Sequence, residues 1–247
     1  MASDEASDEA PDGAEVTDAE AEELPSVAEL YQCYVRENGG LANLRSLRTL
    51  IIKGRKVEEN GATRRIAIYR KRPDKLRFKV WLDNARVETV YNGGEARRIV
   101  APLRTGGEPK VKELSADEAA ALAGDTRLEG PFFRVRGSFG AVEVAGREEV
   151  RGRPAFRLQL GPELDLPYHT IWLDEAHCQE VKLARTLPAG PDGETVEQEI
   201  YFSDFRKVAG VYGAREVAYY SDGALTQKLE LESVRANVGL FDSYFEW

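Results

Sequence analysis

Beyond Arg48 the apolar residues recur at every second position and keep that period for most of the remaining chain. Such alternation is the signature of a strand with one face buried and one face wet. It marks Thr49–Val57, Thr63–Arg70, Leu76–Leu82, Arg86–Tyr91, Ala96–Val100, Val142–Arg151, Ala155–Leu160, Tyr168–Leu173, Glu180–Thr186, Val196–Phe205, Ala214–Tyr220 and Leu225–Val234. Turn-forming pairs stand between many of them: Asn60-Gly61, Asp83-Asn84, Asn92-Gly93-Gly94, Arg151-Gly152, Asp192-Gly193 and Asp222-Gly223. Connections this short leave no room for crossover helices, so the strands form hairpins and an antiparallel meander.

Helix is scarce. Ser26 and Glu29 form a capping-box pair ahead of a helix to about Asn38, with Asn38-Gly39-Gly40 as its stop. Val27, Leu30, Tyr31, Tyr34 and Val35 give it one apolar face. A short turn follows near 40–46, and Ser115 caps an alanine-rich helix over 115–123 that ends at Gly124. In the third strand Leu76, Phe78, Val80 and Leu82 share a face opposite Lys75, Arg77, Lys79 and Trp81; Phe156, Leu158 and Leu160 are likewise set against Arg157 and Gln159. So little helix cannot cover the apolar face of a large curved sheet, which leaves room for a ligand cavity.

The net charge of −9 belongs to the N-terminus. Residues 1–24 hold ten acidic side chains and no basic one, while the rest of the chain is balanced to within one charge. A segment so acidic and so poor in aromatics is expected to be a disordered tail, followed by a single domain over 25–247. The near-neutral body lacks the basic stripe that nucleic-acid binding demands. Cys33 and Cys178 are too few and too far apart to announce a disulfide framework, and either reads as a buried thiol. Asp174, His177 and Cys178 form the only cluster of metal-ligand character, without a second ligand pair at useful spacing. Neighbouring carboxylates such as Glu58 and Glu59 or Glu148 and Glu149 point to opposite strand faces and cannot work as an acid/base pair. Catalytic motifs and phosphate loops are missing, so neither an enzyme, a cofactor nor a metal is expected.

Several segments, taken in order, resemble the LolA-like outer-membrane lipoprotein-sorting proteins. They are Leu41–Gly54, Lys71–Arg77 with its Lys-Arg-Pro start, Tyr91-Asn92-Gly93, Gly130-Pro131-Phe132, Val144–Gly152, Ser203–Val211, Asn237 and Phe241–Phe245. The resemblance implies an incomplete antiparallel β-barrel of about eleven strands, its apolar concave face covered by helices, that binds acyl chains and carries lipoproteins through the periplasm. It implies that Arg72 inherits the arginine whose hydrogen bonds keep the lid closed. The chain departs from the family where Tyr91-Asn92-Gly93 is followed by Gly94-Glu95-Ala96 rather than by a nearby Trp, and its body is longer, as in a divergent branch able to carry another lipid.

The expected cavity lining is Leu76, Phe78, Val80, Leu82, Val87, Phe156, Leu158, Leu160, Ile171 and Leu173, with Ser115, Leu122 and Arg72 as lid residues and the Gly106, Gly107, Pro109, Gly130 and Pro131 flanks as hinges. Holding one chain of about 15 methylenes out of water is worth about 12 kcal/mol. A monomer, an inner-membrane transporter that loads it and an outer-membrane acceptor complete this reading. The N-terminus shows no basic region followed by an apolar segment, so the periplasm requires a leader already removed; the cytoplasm is the alternative. A rival reading, a sensory or scaffold module that binds a protein, predicts a cavity filled by aromatics such as Phe132, Phe133, Phe139, Trp172 and Phe202.

Overall fold

The computed structural model describes residues 23–104, 107–189 and 193–247. The acidic tail over 1–22, the Gly106 hinge and the Asp192 turn position lie outside the described residues. Two short helices, α1 (Val27–Glu37) and α2 (Leu41–Ser46), precede a run of strands β1 (Thr49–Glu58), β2 (Thr63–Lys71), β3 (Lys75–Trp81), β4 (Ala85–Asn92), β5 (Glu95–Pro102) and β6 (Lys110–Glu113). Helix α3 (Ala116–Ala123) opens a long connection through single 3-10 turns at Gly124–Thr126, Pro131–Val135 and Phe139–Ala141. A second run follows: β7 (Val142–Val150), β8 (Arg153–Leu160), β9 (Thr170–Asp174), β10 (Glu180–Pro188), β11 (Thr195–Val208), β12 (Val211–Ser221) and β13 (Ala224–Ala236).

All of these strands join one antiparallel sheet in the order β6-β5-β4-β3-β2-β1-β13-β12-β11-β10-β9-β8-β7. The ends do not pair, so the expected incomplete barrel is present as an open sheet, with thirteen strands rather than about eleven. Alternation exposed twelve of them. The extra one, β6, reads Lys-Val-Lys-Glu with every residue exposed, and an edge strand with no buried face leaves no periodic trace. Because β6 and β7 are opposite edges, the segment between them must cross the sheet, and it crosses on the inner face. α3 lands on β4 and β5, and the 3-10 turn at Pro131–Val135 lands against α1.

That crossing fills half of the inner face. Tyr31 and Tyr34 of α1 pack on Phe132 with ring centroids 5.9 and 5.5 Å apart, and Tyr31 lies within 6.5 Å of Phe133 and 5.4 Å of Phe139. These rings join the same apolar cluster as Phe156, Leu158, Leu160, Ile171 and Leu173. α1 is held there covalently: Cys33 and Cys178 form a disulfide, with Cα atoms 5.9 Å apart. The reading of either cysteine as a buried thiol is corrected. A separation of 145 residues along the chain says nothing about distance once α1 is laid beside the β9–β10 turn. In the same turn the Asp174 carboxylate accepts the backbone N–H groups of His177 and Gln179 at 3.3 and 2.7 Å, so this cluster braces a turn.

On the outer face Trp172 donates its indole N–H to Glu148 at 2.7 Å and stacks under Lys182. It is therefore not among the rings that fill the inner side. Arg77 and Lys79, which the sequence places on a charged face, meet the fully buried Glu88 there, and Arg77 donates to the Tyr244 carbonyl at 2.6 Å. Burial raises the Glu88 carboxyl, yet the hydrogen bonds and charges of Arg77, Lys79 and Arg86 outweigh it and hold the carboxyl below its ordinary range. The C-terminal segment, with Phe245 wholly buried, closes over this cluster.

Candidate functional site

The other half of the inner face is not filled. Between α2, β1–β4 and β10–β13 lies a cavity of about 460 Å³, within the range of about 300–1,000 Å³ common to small-molecule sites. A cavity of this size, open to solvent at its mouth, has room for an alkyl chain. Its walls are Leu50 and Ile52 of β1, Ile68 of β2, Leu76 and Phe78 of β3, Ile200 and Phe202 of β11, Val217 of β12 and Leu229 and Leu231 of β13. Strand register explains the assembly. Ile52 faces Ile68, which faces Phe78, while on the other wall Leu183 faces Ile200, so two rows of apolar side chains curl toward one another.

Of the ten residues expected to line the cavity, Leu76 and Phe78 line it. Phe156, Leu158, Leu160, Ile171 and Leu173 lie on the same inner face but under α1 and Phe132, as packed core. Val80 packs at the edge of that cluster, Val87 pairs with it across β3 and β4, and Leu82 is 36% exposed beyond the cavity's end. Alternation assigns a residue to a face of the sheet; it cannot say which part of the face a distant helix will occupy. Phe202, named for the filled-cavity reading, forms wall instead.

The roof is built from the crossing segment. Ser115 caps α3 with a reciprocal Ser115–Glu118 capping box, Ala119 is buried, and Leu122 faces the cavity. Beyond α3, residues 127–131 form the rim, and Arg72 fastens them. Its Nε donates to the Leu47 carbonyl at 2.6 Å, and its Nη2 donates to the Leu44 carbonyl at 3.3 Å and to the Glu129 carboxylate. Arg72 therefore ties the end of α2 to the rim of the roof. Lysine in its place would offer a point charge without the planar fork that reaches these acceptors at once.

Sequence reading missed the polar groups of this site. Glu180 opens β10 beneath the rim, where its Oε1 accepts the Phe132 N–H at 2.6 Å. Gly130 lies directly above it, and a Cβ there would sit 1.6 Å from Glu180 Oε2, so any larger residue would displace the carboxylate. Burial pushes the Glu180 carboxyl up to about 8, opposed only by the Phe132 hydrogen bond. A glutamate free in the unfolded chain has lost its proton by about pH 5. Between pH 5 and 8 the folded state thus holds a proton that the unfolded state lacks, and stability falls as pH rises, by up to about 1.4 kcal/mol per unit, levelling off above 8. Urea unfolding at pH 5, 6.5 and 8 is expected to show this decline. Glu180→Gln, which keeps the shape and never ionises, is expected to flatten it, and an equal slope in the variant would rule out Glu180 as its source.

Neither protein-family models nor curated proteins match the chain in sequence. Solved structures do. A DUF1329 family protein from Desulfovibrio piger superposes with a TM-score of 0.53 at 14% identity, over 90% of this chain and 98% of that one. The LolA superfamily protein NE2245 from Nitrosomonas europaea gives a TM-score of 0.52 at 11% identity, over 91% and 99%. Both likenesses run through nearly the whole described chain at an identity that speaks for architecture alone. An open antiparallel sheet with α1, α2 and the crossing segment on its inner face is a divergent LolA-like fold.

Proposed function

We propose that this protein is a lipid carrier of an oxidising, extracytoplasmic compartment, holding one alkyl chain between α2, α3 and the β1–β3 and β11–β13 walls. The observation that carries this reading is the open, apolar-walled cavity on the inner face of a LolA-like sheet. Burying about 15 methylenes there returns most of the roughly 12 kcal/mol that exposing the chain to water would cost. The Cys33–Cys178 disulfide supports the compartment, since such bonds persist where thiols are not kept reduced; the periplasm fits it. Arg72 serves as the latch and α3 with Leu122 as the lid, opening toward a loading transporter and an acceptor at the outer membrane. The protein acts as a binder of lipid rather than as an enzyme, and as a monomer.

The rival reading, a sensory or scaffold module, requires the inner face to be filled from within. Tyr31, Tyr34 and Phe132 do fill the β7–β9 half, but Phe202 and Phe78 stand in the wall of open space. Native mass spectrometry of protein purified without detergent, followed by denaturing extraction, tests the choice. One phospholipid, fatty acid or acylated peptide per chain is the expected result. A clean apo mass with no uptake of offered acyl lipids would move the assignment to the module reading.

A further inference from the structure

The cavity walls are mainly apolar, and two guanidinium groups, Arg185 and Arg70, meet at the end where Tyr168 and Tyr219 stand. Arg185 of β10 lines it at only 7% exposure. Its Nε donates to Gln198 Oε1 at 2.9 Å and its guanidinium lies 5.6 Å from the Tyr168 ring, yet Nη1 is buried with no hydrogen-bond partner. From the facing wall Arg70 of β2 donates its Nη1 to the Arg127 carbonyl at 3.3 Å and leaves its own buried Nε unpartnered. Tyr168 and Tyr219 join this end: burial raises both phenols, the Asp125 charge raises them further and Arg185 opposes it.

A buried guanidinium donor without an acceptor is costly unless something supplies one. Of the three carboxylates that line the cavity, Glu129 is engaged by Arg72 and burial keeps Glu180 protonated at neutral pH, which leaves Asp125. Arg70, Arg127 and Arg185 therefore outnumber the free anions of this end. We propose that the Arg185–Arg70 end is a headgroup site, and that the cavity takes a single-chain amphiphile with an acidic head, carboxylate or phosphate, on the two guanidinium groups. The inference rests on the carrier reading and narrows it, since a neutral acyl chain would leave the orphan donors unmet.

Binding of hexadecanoate, hexadecyl phosphate, hexadecanol and inorganic phosphate to the full chain separates the possibilities. The two acids are expected to bind at least about tenfold tighter than the alcohol of equal chain length, the size of one or two charge-assisted hydrogen bonds. Inorganic phosphate alone should bind far more weakly than hexadecyl phosphate. Arg185→Gln and Arg70→Gln should each bring the ratio of acid to hexadecanol affinity close to one, with circular dichroism and urea midpoints reporting that the variants are folded. Arg215 of β12 also lines the cavity and leaves its buried Nε and Nη1 unpartnered, but it stands four strand residues from Tyr219, roughly 13 Å away at about 3.3 Å per residue, without a second guanidinium of that kind facing it. Arg215→Gln should retain the preference. Equal binding of acid and alcohol by the unaltered protein would overturn the headgroup site and leave the carrier reading standing. Inorganic phosphate binding as tightly as hexadecyl phosphate would overturn it in favour of a free-anion site, loss of the preference in Arg215→Gln alone would misplace it, and binding of none of the amphiphiles would overturn both readings.

Discussion

Replacing Cys33 with Ser is expected to lower the unfolding free energy by about 3 to 5 kcal/mol. The Cys33–Cys178 bond closes a loop of 145 residues. In the chain-entropy account, cross-linking a loop of that length removes about 5 kcal/mol of freedom from the unfolded state, and measured values fall at or below the estimate. A domain of this kind has in total only about 5–15 kcal/mol. The loss is not shared evenly. α1 covers the β7–β9 half of the inner face through Tyr31 and Tyr34, which pack on Phe132 of the crossing segment, and without its tether that cover is the element freed first. Urea unfolding with and without dithiothreitol checks this: the midpoint of the unaltered protein should fall sharply on reduction, and Cys33→Ser should sit at the reduced value and ignore the reductant. A reduced protein within about 1 kcal/mol of the oxidised one would show that α1 is held by packing alone, because that lies below the usual range for a native disulfide.

Local chemistry made much of this architecture legible. The Ser26–Glu29 and Ser115–Glu118 capping boxes are three-residue signals, and both helices begin where those signals stand. Strand alternation is likewise local, and it located every strand with a buried face. Three features could not be read that way. The pairing of Cys33 with Cys178 depends on where a helix at one end of the chain lies relative to a turn 145 residues later. The division of the inner face into a filled half and an open half depends on the route of the segment after α3, whose Gly- and Pro-rich sequence has no period. Glu180 and Arg185 look like ordinary polar residues of a two-faced strand; Arg185 follows Leu183 onto the inner face by alternation, the bulge between Glu180 and Lys182 turns Glu180 to that face as well, and what lies over them could not be read from the strand itself. The resemblance pointed to Arg72 but not to the groups that it meets, Leu44, Leu47 and Glu129.

Phe202→Glu is expected to abolish lipid retention while leaving a folded protein, whereas Leu158→Glu is expected to unfold it. The two positions share the inner face but not its role. Leu158 is fully buried within the Phe132 cluster, so a carboxylate there finds neither water nor a partner and costs several kcal/mol, a large part of the total stability. Phe202 is half-buried in the wall of an open cavity, where a carboxylate keeps hydration in the empty protein. It loses that hydration only when an alkyl chain displaces the water, so the penalty falls on binding. A cost of about 3 kcal/mol, at the low end for a poorly compensated buried charge, already weakens binding more than 100-fold. Circular dichroism and urea midpoints report the fold of each variant, and extraction of co-purifying lipid with a binding titration of hexadecanoate reports retention. If Phe202→Glu kept its lipid at the level of the unaltered protein, the wall would not be where the chain lies. If Leu158→Glu stayed folded and lost lipid, the acyl chain would occupy the half of the inner face that α1 covers, and α1 rather than α3 would be the element that moves.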